Sequence, residues 1–294
     1  MIAAAVTVAI PTYNRGAILV ETIERLLALE TRAGAILIVD QTREHPAEIQ
    51  RRLDAWAADG TIRWRRLPEP SIPHAMNVAL LEATSELVLF LDDDVEPSPH
   101  LVAEHTAAHA DERLWAVVGQ ILQPGEEPEH FVRPADDLEF RFSHDEPALV
   151  TNVMAGNLSV KRERALAIGG FDENYIGAAY RFETDFALRL AAAGGTIRYE
   201  PRASLRHLKL ATGGLRSYGD HRTTAAPLHT VGDYYFALEH RRDFARYALN
   251  RVIKNVVTRY HATHPWTIPA KLVGELRGLF LARRLRRGGA RLVR

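Results

Sequence analysis

The first half of the chain alternates between two hydrophobic rhythms. "VTVAI" (6–10), "AILIVD" (35–40) and "LVLFL" (87–91) are apolar runs of strand length. Strands that lack polar alternation are buried on both faces, as in parallel sheets. Between them, "ILVETIERLLALE" (18–30) places Ile18, Ile23, Leu26 and Leu27 at helical spacing. Residues 44–58 suit a helix, 61–67 a strand, and 72–84 a helix with Pro73 near its start. This βαβαβαβ order predicts a doubly wound α/β layer.

Beyond the layer, residues 98–110 predict a helix and 114–122 a strand. Residues 123–150 are polar and Pro-rich with no period, and are expected to form a long loop. A helix over 183–195 is closed by Gly194 and Gly195. One long helix is expected over 233–260, with Phe244, Ala248, Val252 and Val256 on one stripe, and a last helix over 269–287.

Composition adds limits. The 294 residues are 47% hydrophobic and 25% charged, which suits a globular chain with a sizeable core. There is no cysteine, so disulfides and thiolate metal sites are excluded, in keeping with a reducing cytosol. No apolar run approaches the roughly 20 residues that span a bilayer. The opening "MIAAAVTVAIPTYN" lacks the basic n-region of a signal peptide and reads as a strand. A cytoplasmic protein is expected.

The formal net charge of zero conceals an asymmetry. Residues 271–294 carry eight Lys/Arg and one acid, Glu275, a local +7, so the remainder carries −7. Leu272, Val273, Leu276, Leu279 and Phe280 share one face of that last helix, with Arg283, Arg284, Arg286 and Arg287 following. A basic amphipathic helix suits an anionic membrane surface at its inner face; a helix docked on the acidic body is the other reading. The basic residues lack the aromatic or motif context of a nucleic-acid site.

The sharpest chemical signal is "SELVLFLDDDVEPSP", where an apolar strand runs into Asp92, Asp93 and Asp94. Adjacent carboxylates at a buried strand end repel one another and are costly to desolvate. Alternation along a strand turns Asp92 and Asp94 to one side and Asp93 to the other. Two carboxylates on one side suit a hard divalent ion, Mn²⁺ or Mg²⁺. A solvated turn capping the next helix is the plainer alternative. Ligands of open parallel sheets bind outside the carboxyl ends of the strands. "PTYN" (11–14) and Asp40 fall at two more such ends.

With these in place, "VTVAIPTYNRG", "LIVDQT", "FLDDDVEPSPHLV", "GNLSVKRERALAIGGFDE" and "ETDFALRL" together resemble the successive motifs of family-2 glycosyltransferases, over about residues 5 to 210. The resemblance implies a GT-A fold: a Rossmann-like, doubly wound, mostly parallel sheet with a helical C-terminal extension. It implies a metal-dependent enzyme that moves a sugar, with inversion, from a nucleotide-diphosphate sugar to a hydroxyl of a glycan or lipid-linked acceptor. Residues 1–215 would form the catalytic domain, with 1–122 holding the nucleotide sugar and 123–215 the acceptor side. Residues 216–294 would form the extension.

Carried over by motif, Pro11, Thr12 and Tyr13 line the base and ribose, and Asp40 accepts a hydrogen bond from the base. Asp92 contacts the ribose side, Asp93 belongs to the same donor set, and Asp94 holds the metal with Asp92 and His207. Asn77 matches half of an Arg-Asn pair whose basic member is replaced by Met76 here, leaving the diphosphate to His74 or to the metal alone. The family's Glu-Asp pair is altered to "FETD": Glu183 takes the position of the general base and Asp185 is its rival. Arg206, Lys209 and Arg216 are candidate phosphate contacts. Gly156 and Asn157 suit a tight polar loop on the acceptor side, and Gly169-Gly170 a turn. Two other readings stay open: a non-catalytic sugar-nucleotide or glycan binding protein, and a nucleotidyltransferase. The last would need a basic loop after strand one, where only Arg15 is offered.

Overall fold

The computed structural model describes residues 3–133, 140–210, 213–214 and 219–294. Strands β1 (Ala3–Thr12), β2 (Arg32–Asp40), β3 (Arg63–Arg66) and β4 (Leu87–Leu91) pair in parallel in the order β3-β2-β1-β4. Helices α1 (Ala17–Leu27), α2 (Ala47–Ala58) and α3 (Ile72–Glu82) make the crossovers. The unbroken apolar runs are explained by two cores, one on each face. Val6, Val8, Ile10, Ile36, Ile38, Leu87 and Leu89 pack on one side with Leu19 and Ile23 of α1 and Leu53 of α2. Ala9, Leu37, Val39, Val88 and Phe90 pack on the other with Ala75, Met76 and Leu80 of α3.

The sheet then becomes mixed. Short β5 (Val95–Pro97) is followed by α4 (Leu101–Ala108), β6 (Leu114–Leu122), β7 (Ala148–Val150), β8 (Asn157–Lys161), α5 (Arg162–Ala167), α6 (Phe182–Ala192) and β9 (Thr196–His207). β8 runs antiparallel to both β4 and β6, β6 is parallel to β9, and β5 and β7 are antiparallel to β9. The segment expected to be one long loop ends in β7. Its described part is held by Phe131, Phe140, Phe142 and His144, which pack edge-on with one another and with Tyr199. Asn157 opens buried β8 rather than a loop. Its amide donates to the carbonyls of Gln120 and Ala203, and its Oδ1 lies 2.8 Å from His105 Nε2.

The expected helix over 233–260 is two helices, α7 (Val231–His240) and α8 (Phe244–Val256). The chain turns extended at Arg241. The reason is burial: α7 is embedded through Val231, Tyr234, Tyr235 and Phe236, whereas α8 has no buried residue. After α9 (Arg259–Thr263), α10 (Ile268–Arg287) lies against α7. α10 docks through Lys271, Gly274, Glu275, Gly278 and Ala282. A Cβ on Gly278 would sit 2.0 Å from Thr230 Oγ1, so glycine permits the close approach. Of the expected apolar face, Leu279 packs on the core, while Leu276 and Phe280 are 57% and 65% exposed.

The tail beyond α10 returns to the turn that follows α5. Arg291 N donates to Asp172 Oδ1 (2.9 Å), Glu173 N to Arg291 O (3.0 Å), and Val293 N to Gly169 O (2.8 Å). The turn it meets needs glycine. Gly169 and Gly170 have φ of +84° and +62°, and a Cβ on Gly170 would lie 2.4 Å from Asn77 Oδ1.

Candidate active site

β1 and β4 deliver their carboxyl ends to one cleft of about 610 Å³, lined by Pro11, Thr12, Tyr13, Asp92, Asp93 and His207 among others. The aspartates lie just past β4 and divide as alternation predicts. Asp93 turns to the α1 side, where Thr12 Oγ1 donates to Oδ2 at 2.7 Å and Arg15 Nε lies 3.0 Å from Oδ1. Burial pushes the Asp93 carboxyl up to about 7, against the pull of Arg15. Asp92 and Asp94 face His207, which antiparallel pairing with Val95 brings alongside them. His207 Nε2 is 3.0 Å from Asp94 Oδ1 and 3.7 Å from Asp92 Oδ2. Gly156 makes room for Asp92: a Cβ there would lie 2.4 Å from Asp92 Oδ2.

The three titratable groups are tuned differently. Burial opposes ionisation of Asp94, yet His207, Arg15 and the Leu210 N–H outweigh it and hold its carboxyl below the usual range. The neighbouring Asp94 raises the His207 imidazole, and burial opposes that rise. Burial raises Asp92 and His207 lowers it, with 52% of its side chain open to the cleft, where solvent screens both effects. Asp94 Oδ1 is buried and has no aligned hydrogen-bond partner despite the nearby imidazole. One ligand atom from each of Asp92, Asp94 and His207 lies within 4.8 Å of the others. Two carboxylates and an imidazole form a donor set that fits Mn²⁺ or Mg²⁺.

Glu183 lies in the first turn of α6, behind the cleft wall at Ala155. Its Oε1 accepts from Ala155 N at 2.5 Å, which fixes the carboxyl beside the cleft wall that Ala155 forms. Burial pushes the carboxyl up to about 7, with Asp92 adding to the rise and the Ala155 N–H opposing it. Glu183 lines a second cavity of about 410 Å³, and Tyr180 and His221 border both this cavity and the cleft. Asp185 points elsewhere: it lies 2.8 Å from Arg189 Nε and 2.7 Å from His240 Nε2, tying α6 to α7.

Several expected site residues are placed away from the cleft. Asp40 continues the register of Ile36 and Ile38 toward the α1–α2 side. It is fully buried, accepting from Thr42 N (2.8 Å) and Trp64 Nε1 (3.0 Å), with His45 Nε2 at 2.6 Å. Asp40 does not line the cleft, and Gln41, one residue on, does. Asn77 is likewise structural: it donates to Phe171 O and Glu173 Oε1 and accepts from Phe171 N. His74 pairs with Glu173 at 2.9 Å, not with the cleft. Arg206 reaches Glu127 and Glu126 O, Lys209 lines the cleft, and Arg216 lies outside the described residues. Arg15, Gln41, Tyr180 and His221 are cleft residues that sequence alone did not single out; Arg15 carried a signal, as the one cation in "PTYNRGA".

A parallel sheet with antiparallel additions and an acidic cluster at its strand ends has the architecture of the GT-A glycosyltransferase fold. Solved structures share it. A mannosyltransferase from Pyrobaculum calidifontis in complex with GDP-Man and Mn²⁺ superposes with a TM-score of 0.57 at 18% identity, over 97% of this chain and 79% of that one. GalNAc-T7 with UDP, GalNAc and Mn²⁺ gives 0.57 at 15% identity, over 80% and 50%. The Glycosyl transferase family 2 model matches residues 7–169, and the chain belongs to that family. It is 29% identical over 209 residues to the pre-mycofactocin glycosyltransferase of Mycobacterium tuberculosis, a match covering 69% of this chain and 42% of that protein.

Proposed function

We propose that the chain is an inverting, metal-dependent glycosyltransferase using a nucleotide-diphosphate sugar. What supports this is a cluster of Asp92, Asp94 and His207 at the donor cleft, with Glu183 in the adjoining cavity that shares Tyr180 and His221 with that cleft. The nucleotide rests against Pro11, Thr12 and Tyr13, with Gln41 beside them. The neighbours' UDP and GDP-Man support a uridine or guanosine donor. Asp92, Asp94 and His207 hold Mn²⁺ or Mg²⁺, which when bound neutralises charge on the leaving diphosphate.

Glu183 then acts on the acceptor. Its ionised carboxylate takes the proton of an acceptor hydroxyl as that oxygen bonds to C1 and the C1–diphosphate bond breaks. A single displacement from the face opposite the leaving group inverts the anomeric carbon. Residues 1–122 serve the donor and 123–215 the acceptor. The extension over 216–294 joins the acceptor side, since Asp233, Arg251 and Lys271 line the same cavity as Glu183. Incubation with UDP- and GDP-sugars and Mn²⁺ tests the reading. Release of nucleoside diphosphate supports it; binding of nucleotide sugars without turnover, for every donor and acceptor tried, overturns it.

The extension also supports contact with an anionic membrane on the cytoplasmic side, suited to a lipid-linked acceptor. Among the described residues no helix is long and apolar enough to cross a membrane. Yet Leu272, Val273, Leu276 and Phe280 are exposed on α10 beside Arg277, Arg283, Arg284 and Arg287. Such a stripe lies in an interface, with each nearby cation worth about 1 kcal/mol. Phosphatidylglycerol vesicles should pellet the protein, and Leu276→Asp with Phe280→Asp should release it. Equal pelleting of both proteins removes the idea.

A further inference from the structure

The cavity beside Glu183 continues into a third one, of about 440 Å³, which belongs to neither the donor cleft nor the metal cluster. The two share Arg181, Asp233, Arg251 and Asn255 as a common wall. Five cations, Arg181, Arg241, Arg246, Arg251 and Lys254, line the outer cavity against two carboxylates, Asp233 and Asp243.

The carboxylates in the shared wall are already committed. Asp233 Oδ1 lies 3.2 Å from Arg181 Nε and accepts from Tyr247 at 3.2 Å, while its Oδ2 meets Arg251. Glu275, behind it, takes Arg251 at 3.1 Å, Lys271 at 2.9 Å and the Tyr234 hydroxyl at 2.8 Å. These contacts fix the two shared guanidiniums in place and commit Asp233 and Glu275. Arg246 and Lys254 have no carboxylate partner among the described residues.

α8 turns Phe244 and Ala248 to the core, and its polar positions Arg246, Asn250 and Lys254, about one turn apart each, border the cavity. A concave wall with surplus positive charge concentrates anions, and guanidinium groups match the planar oxygens of carboxylate and phosphate.

We propose that this groove is an acceptor subsite for an anionic oxyacid group, so that the enzyme acts on a sugar-type acceptor bearing a phosphate or a carboxylate. The hydroxyl to be glycosylated lies at Glu183 and the anion in the outer cavity between Arg181, Arg246 and Lys254. The proposal rests on the transfer reading, and it fixes which acceptors that reaction uses.

Calorimetry tests it without turnover. The protein is saturated with Mg²⁺ and whichever of UDP or GDP it binds, which occupies the donor cleft. Glucose 6-phosphate, glucuronate and methyl glucoside are then titrated in turn. At least one of the two anions should bind at least about tenfold more tightly than the neutral glycoside. Arg246→Glu with Lys254→Glu leaves three cations against four carboxylates and should abolish that preference. Both side chains are exposed, and each single charge reversal should lower the preference part-way. Equal binding of all three sugars, or a preference unchanged in the double variant, overturns the proposal. So does a double variant that loses phosphatidylglycerol vesicles but keeps the soluble anions, because the patch would then be a lipid contact. Failure of the transfer reading is seen separately, as no release of nucleoside diphosphate.

Discussion

Replacing Glu183 by Gln separates what this side chain does for catalysis from what it costs the fold. Its folded value of about 7 stands above the ordinary 4.5. Below pH 4.5 the carboxyl is protonated in both states and contributes no pH dependence. Between there and pH 7 the unfolded chain releases the proton while the folded chain keeps it, so stability falls as pH rises. At about 1.4 kcal/mol per pH unit the loss reaches about 3 kcal/mol above pH 7. This is an upper limit, because Glu183 keeps an edge open to the cavity. Gln retains the acceptor for Ala155 N and never ionises. The variant should therefore unfold at higher urea than wild type at pH 8, with the two curves converging at pH 4.5. Turnover should drop by about 10²- to 10⁴-fold, the usual worth of a general base, with nucleotide binding retained. Urea titrations at both pH values and a release assay for nucleoside diphosphate measure these effects. A variant no more stable at pH 8, or equally gained at both pH values, refutes a desolvated carboxylate at this position.

Asp94→Asn or His207→Ala should weaken Mn²⁺-dependent binding of nucleoside diphosphate by at least about tenfold in calorimetry; an undiminished effect of Mn²⁺ would place the ion elsewhere. Asp185→Asn takes the charge from between Arg189 and His240 and should cost about 3 kcal/mol in urea unfolding. Its turnover should exceed that of Glu183→Gln, and the reverse order would exchange their roles. Gly170→Ala forces a Cβ onto Asn77 at a φ of +62° and should cost about 2 kcal/mol, whereas a wild-type midpoint would show the turn has slack.

What the sequence discloses follows from which forces act locally. The parallel strands are legible because each fills a core on both faces, as at Leu87–Leu91, and the aspartates are legible because that strand aims them. Glu183 and Asp185 are close in sequence, yet only tertiary packing shows that one lines a cavity and the other meets α7. Asp40 and Gln41 differ by a single step of alternation, which decides between core and cleft and which no motif records. Asn77 could not be read as a brace because its partner, the turn at Phe171, lies 94 residues away. The docking face of α10 is hidden for a related reason: it is made by Gly274 and Gly278, whose close approach to residues 224–230 no hydrophobic pattern announces. The cationic groove is assembled from residues 181, 233 and 241–254, with no local pattern to announce it.

The strap formed by residues 289–293 sets a clock on synthesis. Asp172 meets Arg291 119 positions later, and at 5–20 residues per second that is a wait of about 6 to 24 s on the ribosome. Until then the turn that braces Asn77 is open on one side. Nascent chains arrested near residue 260 should be cut by protease around Gly169 where the full-length protein resists.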